Sequence, residues 1–118
     1  MSSDTMHNIR PAAVAGMFYL GEAGALRKQL AHCLGRAAVH ANASQRAKIL
    51  IVPHAGYVYS GPIAGSAYAR LAPHAADISR VVLLGPVHRV ALRGLALPTV
   101  TAFDTPLGRV ALDTRAMD

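Results

Sequence analysis

The sequence predicts an α/β fold, and three observations carry that expectation. Two apolar runs, Ile49-Leu50-Ile51-Val52 and Val81-Val82-Leu83-Leu84, are each closed by proline or glycine. That is the composition of a strand buried on both faces of a parallel sheet. A helical stripe of apolar residues precedes the first run, and a second helix, signalled by Ser60 and Pro62, separates the two. Finally, each run leads into a histidine, through Pro53-His54 and through Gly85-Pro86-Val87-His88. Strands of one parallel sheet would release both histidines at its carboxyl edge, where open α/β sheets hold ligands.

The elements follow in order. Residues 1–9 read as a flexible tail, and 10–118 as one folded portion. Pro11 and Gly16 argue against helix up to Tyr19. From Glu22 to about Ala38, Leu26, Leu30, Cys33, Leu34 and Ala37 make one amphipathic stripe, with Arg27, Lys28, Gln29, His32 and Arg36 facing elsewhere. His40 to Gln45 is a polar connector, and 48–52 is the first strand. Ser60 suits a helix N-cap, with Pro62 in the first turn and the helix running from Ile63 to about Leu71, before Pro73. Residues 81–85 form the second strand, making 48–85 a right-handed strand–helix–strand crossover. Leu95-Ala96-Leu97 and Arg109-Val110-Ala111-Leu112 read as short strands, with Asp104-Thr105-Pro106-Leu107-Gly108 as a turn. Four strands and two helices are few for an α/β domain. Such a sheet leaves an edge or face uncovered, which predicts a truncated product or self-association.

Composition narrows the function. The chain of 118 residues is 53% hydrophobic and 15% charged, a globular balance. Its net charge of +6 is mostly arginine, but the arginines are scattered from Arg10 to Arg115. Without a basic cluster or aromatic interleaving, nucleic acid is not an expected partner. One cysteine, Cys33, precludes an intramolecular disulfide and fits a reducing cytoplasm. No apolar stretch has the ~20 residues of a membrane helix, so no membrane partner is expected.

His54 and His88 are the leading candidate metal ligands, because neutral imidazole suits iron, copper, zinc and nickel. Spacing alone leaves a second reading open, in which each histidine simply caps a strand end by hydrogen bonding. His7, His32, His40 and His74 read as surface histidines. Cys33 lies on the apolar stripe and reads as a core residue. Tyr57 and Tyr59 are candidate catalytic or pocket residues, as phenols able to donate or take a proton. Ser60 and Gly61, at a helix start, are candidates for anion or peptide binding, with Arg89 and Arg93 as further cationic candidates.

Pro53-His54-Ala55-Gly56-Tyr57-x-Tyr59-Ser60-Gly61 and Leu84-Gly85-Pro86-x-His88 resemble the two signatures of the Memo family, whose bacterial and archaeal members are called AmmeMemoRadiSam system protein B. Arg10-Pro11 with Ala15-Gly16-x-Phe18-Tyr19 resembles the family's opening motif, and Thr105-Pro106-Leu107-Gly108-x-Val110 its conserved turn. The resemblance implies a three-layer αβα sandwich around a mostly parallel sheet, incomplete in this chain and related in fold to class III extradiol dioxygenases. It implies that residues 10–118 are the N-terminal portion of the Memo-like domain. It further implies an iron or copper site at the strand ends, with His54 and His88 as two of three ligands and the third, a cysteine, in the C-terminal half of family members. Cys33 does not match that cysteine. A redox or dioxygenase-like activity on a small molecule is the implied function. The alternatives are a non-enzymatic module that binds a peptide, phosphopeptide or anion, and a truncated product without independent activity.

Overall fold

In the computed structural model, residues 8–38 and 46–117 are described. They form an α/β structure with two α-helices, two 3-10 turns and a mixed three-stranded sheet, compatible with an incomplete αβα core. The chain divides into two compact units. One is Val14–Ser79; the other joins the described parts of Met1–Ala13 and Arg80–Asp118.

The first unit is built on helices α1 (Ala23–Ala38) and α2 (Tyr57–Tyr68). Helix α1 starts where the carboxylate of Glu22 accepts the amides of Gly24 and Ala25 at 2.7 and 2.6 Å. These are two of the donors that a helix N-terminus otherwise leaves unsatisfied. Those hydrogen bonds hold the Glu22 carboxyl below the usual glutamate range. Leu26 and Cys33 are buried as expected, Leu30 is half-buried, and Leu34, at the margin of the stripe, is exposed.

Helix α2 begins earlier than its sequence predicts. Gly56 is the N-cap, and Ser60 and Pro62 lie inside the helix. The prolyl ring removes a single backbone donor close to the N-terminus, so the ladder survives around it. After Tyr68 the chain tightens through three-residue turns into a 3-10 helix at Ala72–Asp77 that contains Pro73. There His74, expected at the surface, is half-buried with Nε2 shielded from solvent. His32 is exposed as expected, whereas His7, His40 and the 40–45 connector lie outside the described residues.

The helices meet through glycines. A Cβ at Gly65 would lie 2.6 Å from the Cys33 carbonyl oxygen, and one at Gly61 would lie 3.1 Å from Cys33 Sγ. Only glycine lets the backbones approach this closely. The two are four residues apart and so share one face of α2.

The second unit holds the sheet, in the order β1 (Ile9–Arg10), β2 (Ala102–Thr105), β3 (Gly108–Ala111). β1 pairs with β2 in parallel, Ile9 opposite Ala102, and β2 pairs with β3 antiparallel. Ile9, the last residue of the expected tail, is therefore in the sheet; residues 1–7 lie outside the described residues. The predicted turn at 104–108 is the hairpin connection. Gly108 takes φ +128°, where glycine is favoured, and the Thr105 hydroxyl donates to the Gly108 carbonyl at 2.7 Å. Asp104 and Arg109, directly opposed across the hairpin, form an exposed ion pair at 2.7 Å that lowers the Asp104 pKa and raises that of Arg109.

The strands predicted at 48–52, 81–85 and 95–97 are corrected: none forms a ladder among the described residues. Most of their side chains face solvent, Ile51 at 95% and Leu83 at 78% exposure, while Leu50 and Val52 are half-buried. A buried parallel strand needs neighbours on both edges and cover on both faces. No strand among the described residues gives these runs that cover. No described helix is long and apolar enough to cross a membrane.

Candidate functional site

The segment after Pro53 is set by two packed motifs. The loop at Val14–Tyr19 closes on itself: the Met17 and Phe18 amides donate to the Val14 carbonyl, and the Gly16 amide donates to the Tyr19 carbonyl at 2.8 Å. Gly16 takes φ +80°, a left-handed value that glycine tolerates. The Phe18 carbonyl then accepts the Tyr57 amide at 2.7 Å. A Cβ on Gly56 would stand 3.3 Å from that same oxygen. The rings of Tyr19 and Tyr57 meet at 5.7 Å between centroids with a 45° tilt. The Ala15–Tyr19 part of the opening motif and the Pro53–Gly61 motif thus form one structure. Phe18, Tyr19 and Gly56 are further members of this structure; the sequence marked them only as residues of the two motifs, with no contact between them expected.

The candidate residues occupy distinct environments. His54 is exposed in the turn that enters α2. Tyr57 is half-buried as the first residue of α2, and burial, with Tyr19, Tyr68 and Cys33 nearby, pushes its phenol pKa upward. It therefore remains protonated through neutral pH, able to donate a hydrogen bond. Tyr59 is exposed. Ser60 is 5% exposed, and its hydroxyl donates to the Ala55 carbonyl at 2.6 Å and, more weakly, to Gly56 at 3.3 Å.

Ser60 and Gly61 do not mark the helix start. The Ser60 amide already donates to the Gly56 carbonyl at 3.0 Å, and Gly61 packs against Cys33. The free amides expected of an anion site at that pair are corrected accordingly. His88, Arg89 and Arg93 are exposed and belong to the other compact unit. Neither arginine is in an ion pair among the described residues.

Among the described residues, no group of three or more His, Cys, Asp or Glu side chains is placed to hold a metal ion. The donors under consideration are two imidazoles, a type that iron and copper accept. They amount to part of a ligand set. Cys33, buried between the helices, is not grouped with them.

Comparison with known proteins agrees with the motif reading. The family model described as "Memo-like protein" matches residues 10–118. A MEMO1 family protein of Sulfurisphaera tokodaii is 40% identical over 93% of this chain and 42% of its own length. The MEMO1 family protein MTH_45 of Methanothermobacter thermautotrophicus is 40% identical over 90% of this chain and 40% of its own. Protein MEMO1 of Xenopus tropicalis is 38% identical over 90% of this chain and 34% of its own. The chain thus spans about two-fifths of the length of the archaeal relatives and a third of the vertebrate one. With one family model matched across residues 10–118 and relatives at this identity, the chain belongs to the Memo-like protein family.

Proposed function

We propose that this chain contributes two histidine ligands, His54 and His88, to a non-haem iron or copper site of redox or dioxygenase-like character. The observation that carries the reading is the repeated pattern of an apolar run, a proline and a histidine within two residues, in a chain of the Memo-like family. The third ligand is a thiolate from family sequence beyond the portion aligned here. When bound, the metal supplies a Lewis-acid and redox centre. The chain's own residues supply imidazole nitrogens and, from Tyr57, a phenol kept protonated that can orient a small-molecule substrate; Tyr59 offers a second, solvent-facing phenol. The compartment proposed is the cytoplasm, where Cys33 stays a thiol.

The test is metal content after aerobic and anaerobic loading with iron(II) or copper, in the wild type, His54→Ala, His88→Ala and a His32→Ala surface control. Loss in the first two variants with retention in the control is expected. Equal retention in all four rejects the site. With only two ligands, the affinity should be weak.

A second reading rests on Arg89 and Arg93, both exposed and outside any ion pair among the described residues. They suit a phosphopeptide or another anionic ligand. A phosphotyrosine peptide that binds wild type and Arg89→Ala equally removes this alternative.

A further inference from the structure

Ser60 is the one polar side chain in the buried class among the described residues, and its hydroxyl reaches out of its own helix. A serine inside a helix ordinarily returns its hydroxyl to the carbonyl four residues back. Here the shorter bond, 2.6 Å, goes five back, to Ala55, the residue that follows His54. The backbone explains why. The Tyr59 and Ser60 amides both donate to Gly56, at 2.9 and 3.0 Å, so the Ala55 carbonyl takes its donor from the Ser60 side chain. On the other side of this peptide, the Tyr57 amide is tied to Phe18 at 2.7 Å, and Gly56 lies against the same carbonyl. The backbone at 55–57 is held from both sides, by a buried hydroxyl from α2 and by the 14–19 loop.

The geometry points to Ser60 as the positioning residue for His54. Its hydroxyl, acting as an inward-turned donor rather than as a cap or an anion ligand, fixes the turn that carries the imidazole. This rests on the proposed ligand role of His54, and the two ideas fail separately.

Ser60→Ala removes the donor, while Ser60→Thr keeps it. Amide hydrogen exchange at Tyr57, bonded to Phe18, is compared with exchange at Ala69, bonded to Gly65 at the far end of the same helix. In parallel, copper(II) is titrated and the broadening of the His54 ring resonances followed. In Ser60→Ala, Tyr57 exchange should rise about tenfold with Ala69 unchanged, the local loss of one buried hydrogen bond. Copper(II) binding at His54 should weaken about three- to tenfold, and Ser60→Thr should restore both.

Unchanged exchange at Tyr57, or an equal rise at Ala69, overturns the positioning role. Should Ser60→Ala fail to fold, Ser60→Cys, close in size and a weaker donor, replaces it under the same criteria. If His54→Ala leaves copper(II) binding intact, the ligand assignment falls, and the exchange data still decide the role of Ser60.

Discussion

Helices α1 and α2 bury Leu26 and Cys33, whereas residues 81–97 of the other unit present their large apolar side chains to solvent. Leu26, at the α1–α2 packing, is 3% exposed; Val81, Val82, Leu83 and Leu84 are all above 70%. The difference does not come from hydrophobicity, because the exposed run is the more apolar of the two by sequence. It comes from where each element finds its hydrogen bonds. A helix closes its bonds within its own segment and needs one neighbour for one stripe. A central strand needs two ladders and two covering layers before burial rewards it. The helix pair is satisfied by a partner 19 residues on, from Ala38 to Tyr57. The apolar run is not satisfied by any strand among the described residues.

The largest effect that would break this contrast is expected at Gly65. Gly65→Ala places a methyl against the Cys33 backbone, which cannot rotate away, and should cost about 2–3 kcal/mol in thermal or denaturant unfolding. Gly35→Ala, where nothing lies within 4 Å, is the control and should be neutral or stabilising. An equal loss in both would show that the helices do not cross as described.

Next comes Leu26→Ala, expected to cost about 2 kcal/mol by emptying a buried site. Leu83→Ala should stay within about 0.5 kcal/mol, as for other exposed positions. If Leu83→Ala costs as much as Leu26→Ala, the run is buried in solution and the contrast fails.

Leu83→Asp sharpens the same point through association rather than stability. Exposed apolar runs promote contact between copies. Light scattering should therefore show wild-type self-association that the aspartate reduces at equal concentration; a monomeric wild type would count against it.

The smallest effect is at Glu22. Its carboxyl is held below the ordinary range by the Gly24 and Ala25 amides, so the folded state favours the charged form. The contribution is therefore present above the unfolded-state pKa and is lost as pH falls through the lower folded value. Glu22→Gln should flatten that acid limb slightly and leave neutral-pH behaviour nearly unchanged, because the group is exposed and screened. A steeper acid limb in Glu22→Gln would contradict the cap.

Much of the local structure was legible in the residue order. The stripe Leu26–Leu30–Cys33 located α1, and Thr105-Pro106-Leu107-Gly108 located the hairpin, because both depend on neighbours within a few positions. The start of α2 was not legible. It turns on Phe18, whose carbonyl meets the Tyr57 amide across 39 positions, and no periodicity encodes that contact. His54 and His88 were legible as candidates through motif content, while the role of Ser60 emerged only from its burial and its bond to Ala55.

By itself, then, the amino-acid order determined the helical stripe, the hairpin turn, the scattered positive charge and the Memo-like motifs, since each is a property of adjacent or regularly spaced residues. Only the tertiary structure decided that β1 joins β2 across 93 positions through Asn8 and Thr101, that glycines 61 and 65 admit Cys33, and that the apolar runs at 48–52 and 81–85 stay out of the sheet, the second exposed throughout and the first in part. The physical reason is that sheet pairing and close backbone approach depend on which distant segments are present to meet, and hydrophobicity states only that a side chain should be buried, not against what.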